Sequence, residues 1–204
     1  MKVHSTVLFF NGLGDGVTTT KQEKAFAVLR SAGIDVYHAS TNWRSADTLD
    51  IHLSRSLEKV QSLCKKVGSV TILAHSAAGS LGLNLLPALA SEDITLASVA
   101  ARLKQGPRSR LYPWHLDRSA HMGTDHESPA FRDSVIRCEN ETMSSLSDEG
   151  RAKGLIIKPR LDLIVPLPLM DADGIETITV NAFGHDAALL SAARLLATNY
   201  EAAY

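Results

Sequence analysis

The chain has 204 residues, 45% of them hydrophobic and 21% charged, with 21 Lys and Arg against 22 Asp and Glu for a net charge of −1. That mixture excludes a disordered chain, a collagen-like repeat and a coiled coil, and without a basic excess nothing draws the chain to nucleic acid. Two cysteines, Cys64 and Cys138, are too few for a disulfide framework and fit a reducing compartment. No apolar run is long enough for a signal-peptide core or a membrane span, so the expectation is a soluble, cytoplasmic chain whose residues 1–204 form one domain.

Thr6-Val7-Leu8-Phe9-Phe10 is a continuous β-branched and aromatic run, the pattern of a strand buried on both faces, and it ends in the turn-rich Asn11-Gly12-Leu13-Gly14-Asp15-Gly16. Ala25, Val28, Leu29 and Ala32 then keep helical spacing until Gly33 stops them, and Ile34-Asp35-Val36-Tyr37 reads as a second strand. Ser45 or Asp47 is placed to cap a long helix carrying Leu49, Leu53, Leu57, Val60 and Cys64, closed by Gly68. Ser69-Val70-Thr71-Ile72-Leu73 is a third strand and runs straight into Ala74-His75-Ser76-Ala77-Ala78-Gly79 and a helix reaching about Leu86, where Pro87 discourages continuation. Ile94 to Val99 reads as a fourth strand. The β-α-β-α-β order implies right-handed crossovers and a mainly parallel sheet with helices on both faces.

The pattern breaks from about Leu103 to Gly150, a polar stretch dotted with Tyr112, Trp114 and Phe131. So long a segment without period suggests a lid or cap insertion over residues 103–150, with room for a short helix such as Ser128 to Cys138. Regular structure returns with Gly154-Leu155-Ile156-Ile157-Lys158 and Glu176-Thr177-Ile178-Thr179-Val180 as strands, for about six in all. A last helix from His185 to about Asn199 buries Leu189, Ala193, Leu196 and Ala197.

Four short motifs stand where strands end, and together they suit acyl transfer. Ser76 sits between a buried strand and a helix, with small Ala74 and Ala78 two residues either side, as a sharp strand–turn–helix needs if it is to thrust a hydroxyl outward. A plain N-cap serine would look similar. A glycine-rich loop after the first strand can aim a backbone N–H, here that of Leu13, at the oxygen that gains charge, while Ala77 offers a second at the helix start. The same loop, with Gly12, Gly14 and Gly16, also permits a phosphate- or nucleotide-binding reading, although the G-x-G-x-x-G spacing fails and no G-K-[ST] follows. A serine needs a histidine to take its proton, and the histidine needs a carboxylate to fix its tautomer. Asp162, ahead of Val165-Pro166, and His185, after Gly184, each follow a strand and supply the pair. Asp171 and Asp173 are the alternative acids, and His75 reads as a packing or polar-support residue. His115, His121 and His126 fall in the polar stretch, where no spacing suggests a metal site.

The order Ser76, Asp162, His185 matches that of the α/β-hydrolase triad, and the chain resembles an α/β-hydrolase over nearly its whole length. Asn11-Gly12-Leu13-Gly14-Asp15 is similar to the H-G-L-G-D oxyanion loop of the carboxylesterase and acyl-protein thioesterase branch, with Asn11 in place of the customary histidine. Ala74 to Ala78 resembles the nucleophile elbow with both glycines replaced by alanine, and the chain starts at what would be the family's third strand. The resemblance implies a serine hydrolase acting on a small-molecule ester or thioester: Ser76 as nucleophile, His185 as base, Asp162 as acid, Leu13 and Ala77 as oxyanion amides, Asn11, Gly12 and Gly14 in the substrate loop, and no cofactor or metal. A non-catalytic binding or regulatory protein on the same fold is the alternative that the departures at Asn11, Ala74 and Ala78 keep open.

Overall fold

The structure, a computed structural model, describes residues 3–13, 19–106 and 128–202. Its described residues form a six-stranded, all-parallel sheet in the order β2-β1-β3-β4-β5-β6. The strands are β1 (Thr6–Phe10), β2 (Asp35–Ala39), β3 (Val70–His75), β4 (Ile94–Val99), β5 (Gly154–Leu161) and β6 (Glu176–Phe183). Helices α1 (Thr20–Ser31), α2 (Leu49–Val67), α3 (Ala78–Leu85), α4 (Pro129–Arg137), α5 (Asp148–Ala152) and α6 (His185–Glu201) connect or follow them.

Every residue of β1, β3 and β4 is buried, as their largely apolar and β-branched runs require of strands covered on both faces. Successive side chains feed two separate cores. Leu8, Phe10, Ile72 and Leu96 pack with α2, α3 and α4, whereas Val7, Phe9, Leu73 and Ala97 pack with α1 and α6. Thr19 opens α1 in a reciprocal capping box with Gln22, and Gly33 and Gly68 end the α1 and α2 segments with φ of 78° and 87°, a left-handed backbone that favours glycine. Thr48, not Ser45 or Asp47, precedes α2. Those two side chains are bonded to each other at 3.0 Å, which removes them as caps.

Of the expected lid, residues 107–127 lie outside the described residues, and with them Tyr112, Trp114, His115, His121 and His126. Residues 128–152 are the helical crossover from β4 to β5. Ser128 caps α4 with its hydroxyl 3.0 Å from the Phe131 N–H, and Pro129 occupies the first turn, where its missing N–H costs nothing. Ala130, Phe131, Val135 and Cys138 are buried, and the segment continues through a π-helical turn, Cys138–Thr142. A buried polar seam ties it to α3: Ser134 Oγ donates to Ser80 Oγ at 2.9 Å, and Asn84 Nδ2 donates to the Ser134 carbonyl at 2.9 Å. This part of 103–150 therefore belongs to the layer covering the sheet.

Strand order reverses between β1 and β3: from β1 the chain moves outward to β2, and from β3 it proceeds the other way to β6. Loops leaving the carboxyl ends of two such strands diverge to opposite faces and leave a crevice between them. The Asn11–Leu13 loop and Ser76 stand at that crevice.

Candidate active site

Ser76 follows β3 with φ of 59°, one of two described non-glycine residues in the left-handed region. Such a backbone costs a side-chain-bearing residue of order 1–2 kcal/mol, and it persists here because both neighbours are tied down. The Ser76 N–H reaches the Val99 carbonyl at 2.9 Å, and its carbonyl accepts from Gly79 N–H at 3.0 Å. Ala74, Ala77 and Ala78 are fully buried, so the small side chains around the turn answer a packing demand. Gly12 backs directly on to this turn. A Cβ there would lie 2.8 Å from Ser76 Cβ and 3.1 Å from its Oγ. Among the described residues neither the Leu13 N–H nor the Ala77 N–H has a hydrogen-bond partner. Gly14 lies outside the described residues.

The other half of the site is delivered by β5 and β6. Pro159 lacks an N–H, and the β5–β6 register shifts between Pro159 and Leu161, after which Leu161 pairs with Phe183 and its carbonyl accepts the Gly184 N–H at 2.8 Å. Asp162, directly after β5, and His185, two residues past the end of β6, are thereby brought together: His185 Nδ1 and Asp162 Oδ2 are 2.8 Å apart. The second carboxylate oxygen of Asp162 accepts from the N–H groups of Ile164 at 2.7 Å and Val165 at 3.0 Å, a local Asx-type turn. Burial pushes the Asp162 carboxyl upward, but the His185 hydrogen bond and charge, with the two backbone donors, outweigh it and hold its pKa below the usual carboxylate value. With Nδ1 engaged by the carboxylate, Nε2 of His185 is left buried and without a hydrogen-bond partner among the described residues.

His75, the residue before Ser76, bridges the halves. Its ring centroid is 5.0 Å from that of His185, and its Nε2 lies 3.4 Å from the His185 carbonyl oxygen. Burial, then the neighbouring His185, lower its pKa to about 4, so it is a neutral wall of the site at neutral pH. The alternative acids lie elsewhere: Asp171 pairs with Lys158 at 2.6 Å and Asp173 with Lys104 at 3.3 Å. Beside His185 opens a cleft of about 480 Å³ whose lining includes Leu163, Ile164, Phe183 and Leu190, with the Lys21–Asp186 ion pair at its edge. Both cysteines are buried free thiols, and burial pushes that of Cys138 up to about 12. Among the described residues, no three His, Cys, Asp or Glu side chains are grouped to hold a metal ion.

The Asn11 loop is held by residues of the β2–α2 connection. Asn11 is buried, its Oδ1 accepts from the Thr41 N–H at 2.9 Å, and its carbonyl accepts from Trp43 Nε1 at 3.3 Å. No local pattern marks a partner thirty residues away; the one local signal is a Trp set in a polar Thr-Asn-Trp-Arg turn.

No protein-family model matches the chain, and no curated protein matches it significantly. Solved structures do. A monoacylglycerol lipase from Paleococcus ferrophilus superposes with a TM-score of 0.62 at 11% identity, covering 95% of this chain and 94% of that one. Est1E from Butyrivibrio proteoclasticus gives 0.61 at 13% identity, over 95% of this chain and 85% of that one. A meta-cleavage product hydrolase from Pseudomonas fluorescens gives 0.58 at 15% identity, over 100% and 93%. With a parallel sheet of this order and these neighbours, the chain has the α/β-hydrolase fold.

Proposed function

We propose that the chain is a serine hydrolase that cleaves a carboxylic ester or thioester of a small molecule through an acyl-enzyme on Ser76. The observation that carries this reading is the buried His185–Asp162 pair, bonded through Nδ1 at 2.8 Å with Nε2 unengaged among the described residues, at the sheet edge where Ser76 is held in a left-handed turn. In the proposed cycle His185 Nε2 takes the Ser76 Oγ proton as Oγ attacks the acyl carbon. The Leu13 and Ala77 N–H groups stabilise the oxyanion, and His185 returns the proton to the leaving alcohol or thiol. Water activated by the same nitrogen then releases the acid and regenerates Ser76. Asp162 keeps its charge throughout, fixing the tautomer and stabilising the imidazolium.

The test is labelling of the purified protein by a fluorophosphonate, alongside hydrolysis of p-nitrophenyl esters. The wild type is expected to label and turn over, and Ser76→Ala to do neither while its melting temperature stays at or slightly above that of the wild type. A Ser76→Ala protein that labels at the wild-type rate rules the reading out.

A further inference from the structure

We infer that Asn11 is a positioning residue: its side-chain amide locks the Gly12–Leu13 peptide so that the Leu13 N–H faces the reacting carbonyl. The inference rests on the proposed hydrolase reading and adds the part of the chain that prepares its oxyanion site.

Three hydrogen bonds and the packing of Trp43 lead to it. Asn11 Nδ2 donates to the Gly12 carbonyl at 3.0 Å. Asn11 Oδ1 accepts from the Thr41 N–H at 2.9 Å. Because only the oxygen of the amide can accept from that N–H, its orientation is settled, and the NH₂ group necessarily faces Gly12. The Asn11 carbonyl is itself held by Trp43 Nε1 at 3.3 Å, and Trp43 is buried, with its ring packed against His52 at 5.5 Å and Phe131 at 5.9 Å between centroids. Asn11 is thus fixed from the β2–α2 connection on two of its atoms and acts on Gly12 with a third.

The consequence follows from peptide planarity. In a trans peptide the C=O of one residue and the N–H of the next point in opposite directions. Holding the Gly12 carbonyl toward the Asn11 side chain therefore turns the Leu13 N–H away from it. The Cα of Gly12 is pressed against Ser76, near enough that a Cβ would meet Ser76 Cβ at 2.8 Å, and the Leu13 N–H has no partner among the described residues. A glycine–leucine peptide without this clamp would be free to rotate and present its carbonyl, whose partial negative charge would oppose an oxyanion. Asn11 makes the donor orientation the resting one, so no reorganisation is needed when charge develops.

The experiment compares wild type, Asn11→Asp and Asn11→Ala. Asn11→Asp keeps an oxygen for the Thr41 N–H and removes the donor to Gly12, whereas Asn11→Ala removes both. The probe is an alkyl trifluoromethyl ketone. Ser76 Oγ adds to its carbonyl carbon, the C=O π pair moves to oxygen as an alkoxide, and the Oγ proton passes to His185 Nε2. In the variants kcat on an activated ester and affinity for the ketone should fall together by about 100-fold, with KM unchanged within threefold. A variant whose kcat stays within threefold of wild type overturns the inference, as does one that loses turnover while keeping full affinity for the ketone. Should either variant fold poorly, the wild type supplies the answer: on ketone binding the Leu13 amide proton is expected to shift downfield, and an unmoved Leu13 resonance overturns the inference. A wild type that neither labels with fluorophosphonate nor binds the ketone instead removes the hydrolase reading itself.

Discussion

The two halves of the site are built from different material. At β1 and β3 it is main chain: a left-handed Ser76, a Gly12 pressed against it, and N–H groups at Leu13 and Ala77 that have no hydrogen-bond partner among the described residues. At β5 and β6 it is side chain: a carboxylate and an imidazole 2.8 Å apart, carried to each other by paired strand ends. The first half depends on shape: the turn around Ser76 takes only small buried residues, Ala74, Ala77 and Ala78, and Gly12 has no room for a side chain at all. The second depends on functional groups, a carboxylate held by an imidazole and two backbone donors.

Disabling the side-chain half should cost most. Asp162→Asn preserves shape but offers His185 Nδ1 an amide, favouring the wrong tautomer, and is expected to lower kcat about 10⁴-fold with unchanged folding by circular dichroism. The main-chain half should fail by crowding rather than by chemistry. Gly12→Ala places a methyl 2.8 Å from Ser76 Cβ, and steady-state kinetics should show a loss of about 100-fold with both kcat and KM affected, since loop and serine must separate. A variant with wild-type kinetics would mean that the loop is more pliable than a main-chain site allows.

The bridge between the halves sets a pH dependence. His75 has its pKa lowered from 6.5 to about 4 by burial and His185, so the unfolded chain binds its proton first as pH falls. The stability gained by keeping His75 neutral is therefore complete above pH 6.5 and declines between 6.5 and 4, by about 3 kcal/mol at most. Asp162, held low, adds a loss only at more acid pH, as its carboxylate is protonated. Denaturant melts from pH 7 to 4 should show His75→Phe losing less stability than wild type across that window. Smallest of all should be the changes at Asp171→Asn and Asp173→Asn, whose ion pairs with Lys158 and Lys104 lie outside the site. A less than twofold change in kcat is expected for each, because neither carboxylate contacts Ser76, Asp162 or His185.

The division between the halves also explains what could be read from sequence. β1 and β4 have the bounds that their apolar runs predict, and the Ser-Pro start of α4 and the glycines after α1 and α2 mark their helix ends. Asp162 and His185 were legible because chemistry singles out residue types that end strands. The residues 128–152 were not legible as a core layer, because their buried polar seam gives a sequence of Ser, Asn and Thr that has the composition of a loop. β2 starts one residue and ends two residues later than the Ile34–Tyr37 run predicts, for a related reason. As an edge strand with only Ala39 fully buried, it carries little apolar signal. The Asn11 clamp escaped because it is a long-range arrangement: nothing near position 11 announces Thr41 or Trp43.

Ser76 has a counterpart that the catalytic reading does not need. Ala100, just past β4, is the second described residue with a side chain in the left-handed region, at φ 49°. Helix α3 is wedged against it, so closely that a methyl on Gly79 would fall 2.1 Å from Ala101 Cβ. The corner thus carries two strained turns pressed together, where glycine at either would relax the backbone by about 1 kcal/mol. Durability and sharpness are set against each other there: an organism living at high temperature would gain from easing the Ala100 turn, and could do so without altering the serine whose exposure the other turn secures.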